Sequence, residues 1–369
     1  MKYFDTFFKK SIVCLSMYAV ENISNTYILK YIRLRELKTL NKIFNKIHCG
    51  SDVETTVKSK YSAVYTIYGE NGTGEVTAFD VLPGIVFVFQ KFNMDGKIPV
   101  TFADDSIVTI KYCKKGRMEN FLENKYYCYI KDGDYKISGI NNGNMEISFP
   151  VYYYEGLTIM LDTNTSNSEL CNQFKGFDID IKNICEKFSD NSLPFVIFED
   201  ERVNRIFEDI YNAPENIRLQ YYRIKLIELL YYLSSVGTEE IQIGRPYFYE
   251  RLVSKIKSAR TLMISDLTKN YTIEELAEHF EMGLTQLKMC FKTVYGSPIS
   301  TYMRIYRLNY AAYLLRTDKD IKISDIAGRV GYDSPSKFTS AFKKELGITP
   351  FEYRKTYYNE ETEKNLNIF

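Results

Sequence analysis

The sequence predicts an α+β chain of several domains: a β-rich N-terminal region, a helical middle and an all-α C-terminal domain with two helix-turn-helix units. Three observations carry this. Between about Ser62 and Leu161, short β-branched and aromatic runs alternate with Gly and Asn turns. Beyond about residue 177 the apolar period changes from two to three or four. The last hundred residues hold one helix, turn, helix pattern twice. A chain of 369 residues is ample for two or three buried cores, and its 45% apolar and 26% charged composition is that of an ordinary globular protein. It contains no 18-residue apolar run, so no membrane partner is expected.

In chain order, residues 1–50 read as a helical lead-in, because Ile28, Ile32, Leu37, Leu40, Ile43 and Ile47 recur at helical spacing. The stretch "FFKKSIVCLSMYAV" mimics a signal peptide. Ser11, Ser16 and Tyr18 dilute it and no clear small-residue cleavage site follows, so a buried helix is the preferred reading. Residues 51–165 form the β-rich domain, with "GIVFVFQKF", "SIVTIKYC", "NKYYCYI", "KISGI", "MEISFP" and "YYYEGLTIML" as strands and "KDGD" and "NNGN" as turns. They predict a small barrel or sandwich. "GENGTG" from Gly69 lacks the Lys-Ser/Thr of a phosphate loop and reads as a hairpin turn. Tyr152, Tyr153, Tyr154, Gly116 and Arg117 are candidates to line a pocket, with buried or edge-strand aromatics as the alternative.

"DTNTSNSE" reads as a linker, after which residues 177–245 form a helical region. Its clearest helix opens on Pro214 and closes at Gly237. Leu219, Tyr222, Leu226, Leu229 and Leu233 make an apolar seam along it, which fits either the core of one chain or a homodimer interface.

Seven cysteines, odd in number, scattered and never in a CxxC pair, point to reduced thiols in a cytoplasm. The two histidines, His48 and His279, have no second His or Cys at ligand spacing, so no metal, no cofactor and no catalytic residues are expected. The chain does not read as an enzyme. His279 reads as a solvated or capped surface residue.

The C-terminal domain, residues 251–358, is set by its internal repeat. "LAEHFEMGLTQLKMCFKTVYG" and "IAGRVGYDSPSKFTSAFKKELG" superpose, with Ala277 on Ala327, Leu287 on Phe338, Phe291 on Phe342, Lys292 on Lys343, Gly296 on Gly347 and Tyr302 on Tyr353. The alanines let two helices cross closely while Leu287 and Phe338 plug the angle. Gly331 permits a sharp exit from the first helix, Asp333 or Ser334 can cap the next, and Pro335 suits its first turn. Units of this kind present their second helix to a DNA major groove. The stretch between them, "PISTYMRIYRLNYAAYLLRT", reads as one helix about 28 Å long. That length suits two adjacent grooves about 34 Å apart once the width of the units is added. Charge agrees: the formal net charge is only +1, yet Arg251 to Lys355 holds eighteen Lys and Arg against eleven Asp and Glu.

These residues resemble the AraC/XylS family of bacterial transcription regulators. The resemblance covers about 105 residues, Arg251 to Lys355, and lies in "YTIEELAEHF", "MRIYRLNYAAYLL" and "ISDIAGRVGYDSPSKFTSAFKKELGITPFEYR". More loosely, the chain is similar to the siderophore-regulator type, because "APENIRLQYYRIKLIELLYYL" and a strand-rich region precede the DNA-binding part. The resemblance implies seven helices, a cupin-like N-terminal region that binds a small-molecule effector, and transcription activation at promoters. Double-stranded DNA and RNA polymerase are the implied partners. It places Leu284, Thr285, Lys288 and Met289 toward one groove, with Lys292 toward phosphate. Toward the second groove it places Ser334, Ser336, Lys337, Thr339 and Ser340, with Lys343 and Lys344 toward phosphate. Many members carry Arg where Met289 and Ser340 stand, so base readout here is expected to depend less on guanine. For Met289, surface packing without DNA contact is the alternative. Arg304 and Arg307 on the linking helix fit either phosphate contact or internal ion pairs with Asp318 or Asp325. Cys290 stands at an apolar core position and reads as packing. Two other readings compete: the same regulator controlled by a protein partner or by its abundance, and a DNA-repair methyltransferase fusion, which the cysteine spacings disfavour.

Overall fold

The computed structural model describes residues 38–358 apart from 50–51, 58, 70, 103–105, 139–144, 177–178, 189–193, 199, 238–242 and 245–246. The segment "FFKKSIVCLSMYAV", the lead-in positions Ile28, Ile32 and Leu37, and the turn "NNGN" lie outside the described residues. Helix α1 (Lys38–Phe44) is followed by strands β1 (Ile47–Cys49), β2 (Asp52–Val57), β3 (Ser62–Gly69), β4 (Asn71–Leu82), β5 (Ile85–Asp95), β6 (Lys97–Phe102), β7 (Ile107–Leu122), β8 (Tyr126–Lys131), β9 (Tyr135–Ser138), β10 (Met145–Ser148) and β11 (Tyr153–Asp162).

All the pairings are antiparallel, in the order β1-β6-β10-β7-β11-β5-β4-β3-β2, and no pairing among the described residues joins β1 to β2. The arrangement is an open double sheet hinged on β7. Its first half pairs with β11 and β9, its second half with β8 and β10. Gly116 makes the change of direction between them. Its φ is +91°, and a Cβ there would sit 2.2 Å from the Tyr153 carbonyl oxygen, so only glycine fits. Strands β3 and β4 meet directly at Gly69 and Gly72, so "GENGTG" is a hairpin end.

Strand alternation gives the sheet two apolar faces. The inner one closes over Val88, Phe92, Met118, Phe149 and Tyr154. The outer one carries Phe79, Phe87, Tyr112 and Leu157 and is covered by helices. Those helices are α2 (Thr163–Gln173), α3 (Ile181–Lys187), α4 (Glu201–Tyr211) and α5 (Arg218–Ser235). Tyr112 stacks on Phe207 of α4 at 4.3 Å and Phe87 on Tyr222 of α5 at 5.2 Å.

Two expectations are corrected here, and the α5 seam takes the first of its two readings, the core of one chain, and not the dimer interface. The α5 seam faces this chain's own sheet: Leu226, Leu229 and Leu233 are 0% exposed, Tyr222 is buried and Leu219 is half-buried. A homodimer cannot use those leucines, because the outer sheet face already occupies them. "DTNTSNSE" is not a linker but the first turns of α2. Asp162 caps it by accepting from the Asn164 amide at 3.3 Å, and burial of Thr163, Ser166 and Leu170 outweighs the poor helix propensity of the stretch. The middle region is not wholly helical either. Strand β12 (Phe195–Ile197) pairs with β9 and with β13 (Ile243–Gly244), both too short for a period to register.

Strand β14 (Tyr247–Tyr249) adds to β8 and runs directly into α6 (Glu250–Ser265). Helices α7 (Ile273–His279), α8 (Leu284–Tyr295), α9 (Ile299–Thr317), α10 (Ile323–Arg329), α11 (Pro335–Leu346) and α12 (Pro350–Tyr357) follow, so that the described residues from 250 onward hold the seven helices expected. Tyr127 and Tyr129 of β8 enter the core of α6, α7 and α8, whereas α10 and α11 close a separate core on α9. The first unit is therefore fused to the sheet, and the second is attached through α9.

Lys136, in the sheet interior, is fully buried, and its ammonium donates to Asn120 Oδ1 at 3.1 Å. Burial disfavours its charged form and lowers its pKa. The unfolded chain holds this proton up to about pH 10.4, so below that value it binds more protons than the native state, and stability rises with pH through the window above the lowered native pKa. Lys136→Met is expected to lack this contribution. In urea unfolding from pH 7 to 9.5, the wild type should gain up to about 1.4 kcal/mol per pH unit relative to the variant within that window. Parallel pH profiles would contradict the assignment.

Candidate nucleic-acid interface

Each unit is built by local chemistry. Thr272 caps α7 in a capping box with Glu275, the threonine amide donating to Oε2 at 2.8 Å and the Glu275 amide to Thr272 Oγ1 at 3.1 Å. The chain then leaves α7 through Glu281 in the left-handed region, φ +49°, and the Met282 amide returns to the Ala277 carbonyl at 2.8 Å. In the second unit Gly331 takes that position at φ +77°, and the Tyr332 amide returns to the Ala327 carbonyl at 2.9 Å. Leu287 and Phe338 are fully buried in the two angles. Helices α8 and α11 both end on left-handed glycines, Gly296 and Gly347.

The repeat extends to ring geometry. Phe291 meets Tyr302 edge-on at 5.4 Å and 79°, and Phe342 meets Tyr353 at 5.4 Å and 83°. One capping expectation is corrected: Ser334 occupies the N-cap of α11 without a side-chain cap bond, and Pro335 at the first turn, which needs no amide partner, starts the helix.

These angles turn one face of the second helix of each unit, α8 and α11, outward. On α8, Leu284, Thr285, Lys288, Met289 and Lys292 are exposed while Leu287, Cys290 and Phe291 point inward. Leu284 and Met289 are 43% and 54% exposed, unusual for apolar side chains, and they sit beside the two lysines. On α11, Ser336, Lys337, Ser340, Lys343 and Lys344 are exposed, and Ser334 and Thr339 half-buried. Burial pushes the Cys290 thiol up to about 12, which suits packing. His279 is exposed.

Arg304 and Arg307 are held inside the domain, by partners other than the expected Asp318 and Asp325. Arg304 pairs with Glu345 of α11 at 2.7 Å. Arg307 donates to Asn270 Oδ1 at 2.6 Å and to the Lys269 carbonyl at 2.8 Å. They tie the linking helix to its neighbours, which fixes the angle between the two units.

A second set of residues is invisible to motif reading. Arg117 donates to the Thr293 carbonyl in the last turn of α8, and burial lowers the pKa of its guanidinium. Glu119 accepts from Lys257 of α6 at 2.6 Å. Tyr152 accepts from Arg260 Nη2 at 3.4 Å, and Arg260 Nε donates to the Tyr302 hydroxyl at 2.5 Å. Tyr154 is buried in the sheet core against Phe149. Of the five pocket candidates, Arg117 and Tyr152 thus meet the helical domain. The sequence offers Arg117 only as a pocket candidate, because its partner is 176 residues away.

A family model described as a helix-turn-helix domain matches residues 276–356. The HTH-type transcriptional activator RhaR of Enterobacter sp. (strain 638) is 28% identical over 105 residues, covering 28% of this chain and 36% of RhaR. The thermoregulatory protein LcrF of Yersinia pestis is 32% identical over 134 residues, covering 36% of this chain and 48% of LcrF. Among solved structures, the C-terminal domain of AraT, a response regulator from Geobacillus stearothermophilus, is 30% identical and covers 31% of this chain and 97% of that chain with a TM-score of 0.28. The chain spans less than half the length of these two curated relatives. With two units of one geometry on a common linking helix, and with the family match lying across both, the C-terminal part of this chain is a helix-turn-helix domain of the AraC family.

Proposed function

We propose that this protein is a cytoplasmic, sequence-specific DNA-binding transcription regulator, an activator acting with RNA polymerase, and that its N-terminal sheet responds to a small-molecule effector. The observation that carries the reading is the outward presentation of both recognition helices from one linking helix, with lysines on each exposed face. A 19-residue helix spans about 28 Å, so one chain can reach two successive major grooves on one side of a duplex. The lysines supply sequence-independent attraction, while the short polar side chains of α11 and the apolar tips of α8 read base edges, the latter against thymine methyl groups. Among the described residues no helix is long and apolar enough to cross a membrane.

The test is genome-wide mapping of bound sites, followed by mobility shifts of the full chain on the recovered duplexes. Affinity should fall steeply as salt rises from 50 to about 200 mM, because phosphate contact releases counterions. Binding that is absent, or insensitive to salt, overturns the reading.

Two exposed lysines on α11 are expected to act differently. Lys337→Ala should cost about 1–3 kcal/mol on the recovered site and relax preference at one or two base positions. Lys343→Ala, nearer the helix end, should weaken all duplexes alike. Equal loss on specific and random duplexes for both variants would refute the groove assignment.

A further inference from the structure

Between the two sheets lies a cavity of about 370 Å³, with Tyr65, Val88, Val100, Met118, Phe149 and Met160 among its walls. Gln90 adds one amide, and among the described residues no charged side chain reaches the lining. Such a wall favours an uncharged, largely apolar molecule, because a sugar hydroxyl or a carboxylate would be desolvated there with too few partners.

The wall that holds this space also holds the DNA-binding domain. Strands β7 and β10 alternate: Met118, Ile147 and Phe149 border the cavity, while Arg117, Glu119 and Ser148 between them turn to the other side. There Glu119 accepts from Lys257 at 2.6 Å and from Ser148 Oγ at 2.7 Å, and Arg117 grips the Thr293 carbonyl of α8.

Phe149 is the closest link. It stacks on Phe92 inside the sheet at 4.6 Å, and it also borders a separate cleft of about 230 Å³ shared with Tyr152, Lys257 and Arg260. After Phe149 the chain makes a turn closed by the Tyr152 amide on the Phe149 carbonyl at 2.8 Å. Tyr152 stands at φ +61°, a conformation that strains a side chain of its size and that persists only where the surroundings enforce it. From there its hydroxyl meets Arg260, which meets Tyr302 at the start of the linking helix.

We infer that the cavity binds an uncharged apolar molecule, and that the turn Phe149–Tyr152 transmits its presence to the first helix-turn-helix unit. The inference rests on the effector reading proposed above and names the ligand class and the route. A molecule pressing on Phe149 has one short, strained turn through which to move Arg260, and the rest of the wall moves Arg117 and Glu119 in the same sense.

Naphthalene, small, uncharged and fluorescent, is the probe. The full-length protein is titrated with it, and the dissociation constant on a recovered duplex is measured with and without it. Wild type should bind naphthalene, and its DNA affinity should change by about 5- to 100-fold, the usual range for coupled sites. Tyr152→Gly, which relieves the strained φ and removes the hydroxyl, should bind naphthalene as wild type does, with a change in DNA affinity below about twofold. Tyr152→Phe, which keeps the ring, serves where the glycine variant is unfolded and should lose most of the response. Failure of wild type to bind naphthalene would overturn the effector reading beneath the inference. Binding without any change in DNA affinity, or a full response in both variants, would overturn the transmission route and leave DNA binding standing.

Discussion

Leu226→Glu is expected to unfold the N-terminal half of the molecule. The side chain is 0% exposed on α5, in the layer where that helix covers the outer face of the sheet. Removing a buried leucine to alanine costs about 2–5 kcal/mol, and a carboxylate left in its place adds a desolvation cost of several kcal/mol. Together these approach the whole stability of a domain, about 5–15 kcal/mol. Thermal unfolding followed by circular dichroism should show the sheet transition shifted far down or lost, and Leu229→Glu should do the same. Ile224→Glu, on the opposite side of the helix at 60% exposure, is the control and should change the melting temperature little. A folded Leu226→Glu protein with a wild-type transition that sediments as a smaller species would return the seam to a dimer interface.

The second large effect separates two positions that the repeat makes equivalent. At Gly331 a Cβ would lie 2.2 Å from the Leu267 carbonyl oxygen, and φ is +77°. Gly331→Ala therefore combines left-handed strain of about 1–2 kcal/mol with an overpacking cost of about 1–3 kcal/mol. Glu281, its counterpart, already sits at φ +49° with an exposed side chain, so Glu281→Gly should gain up to about 1 kcal/mol by relieving the same strain. Urea unfolding of the two single variants gives opposite signs if both turns have the described geometry. Gly331→Ala with wild-type stability would mean that the chain does not pass Leu267 so closely. DNA affinity is expected to follow the glycine variant down, since this turn sets the angle at which α11 is presented.

The repeat was legible without coordinates because every part of it is local. Ala277, Leu287 and Gly296 recur as Ala327, Phe338 and Gly347 within single turns of helix, where capping, left-handed termini and 3.6-residue periodicity act over a few residues. The exposed residues of α8 and α11 follow from the same periodicity once Leu287 and Phe338 are known to point inward. For the same reason the strands and hairpins before Leu161 could be read from alternation and turn residues.

What the residues alone left open was the identity of each partner. The α5 seam has the period of any buried helix face, and only the outer face of the sheet, assembled from strands far earlier in the chain, decided that it belongs to this chain's own core. "DTNTSNSE" has the composition of a linker, and became helical because Thr163, Ser166 and Leu170 found a buried place beside the end of β11. Arg304 and Arg307 found Glu345 and Asn270 rather than the nearer aspartates, since the path of α9 past α11 and past the segment after α6 brings those groups within hydrogen-bond reach. Arg117, Tyr152 and Arg260 carry no motif at all. Their meeting depends on the bend of β7 at Gly116 and on β14 adding to β8, and hydrogen bonds between residues more than a hundred positions apart leave no periodic trace in a sequence. Local order is written in neighbouring residues, whereas the join between the N-terminal sheet and the helix-turn-helix units exists only once the chain has brought distant surfaces together.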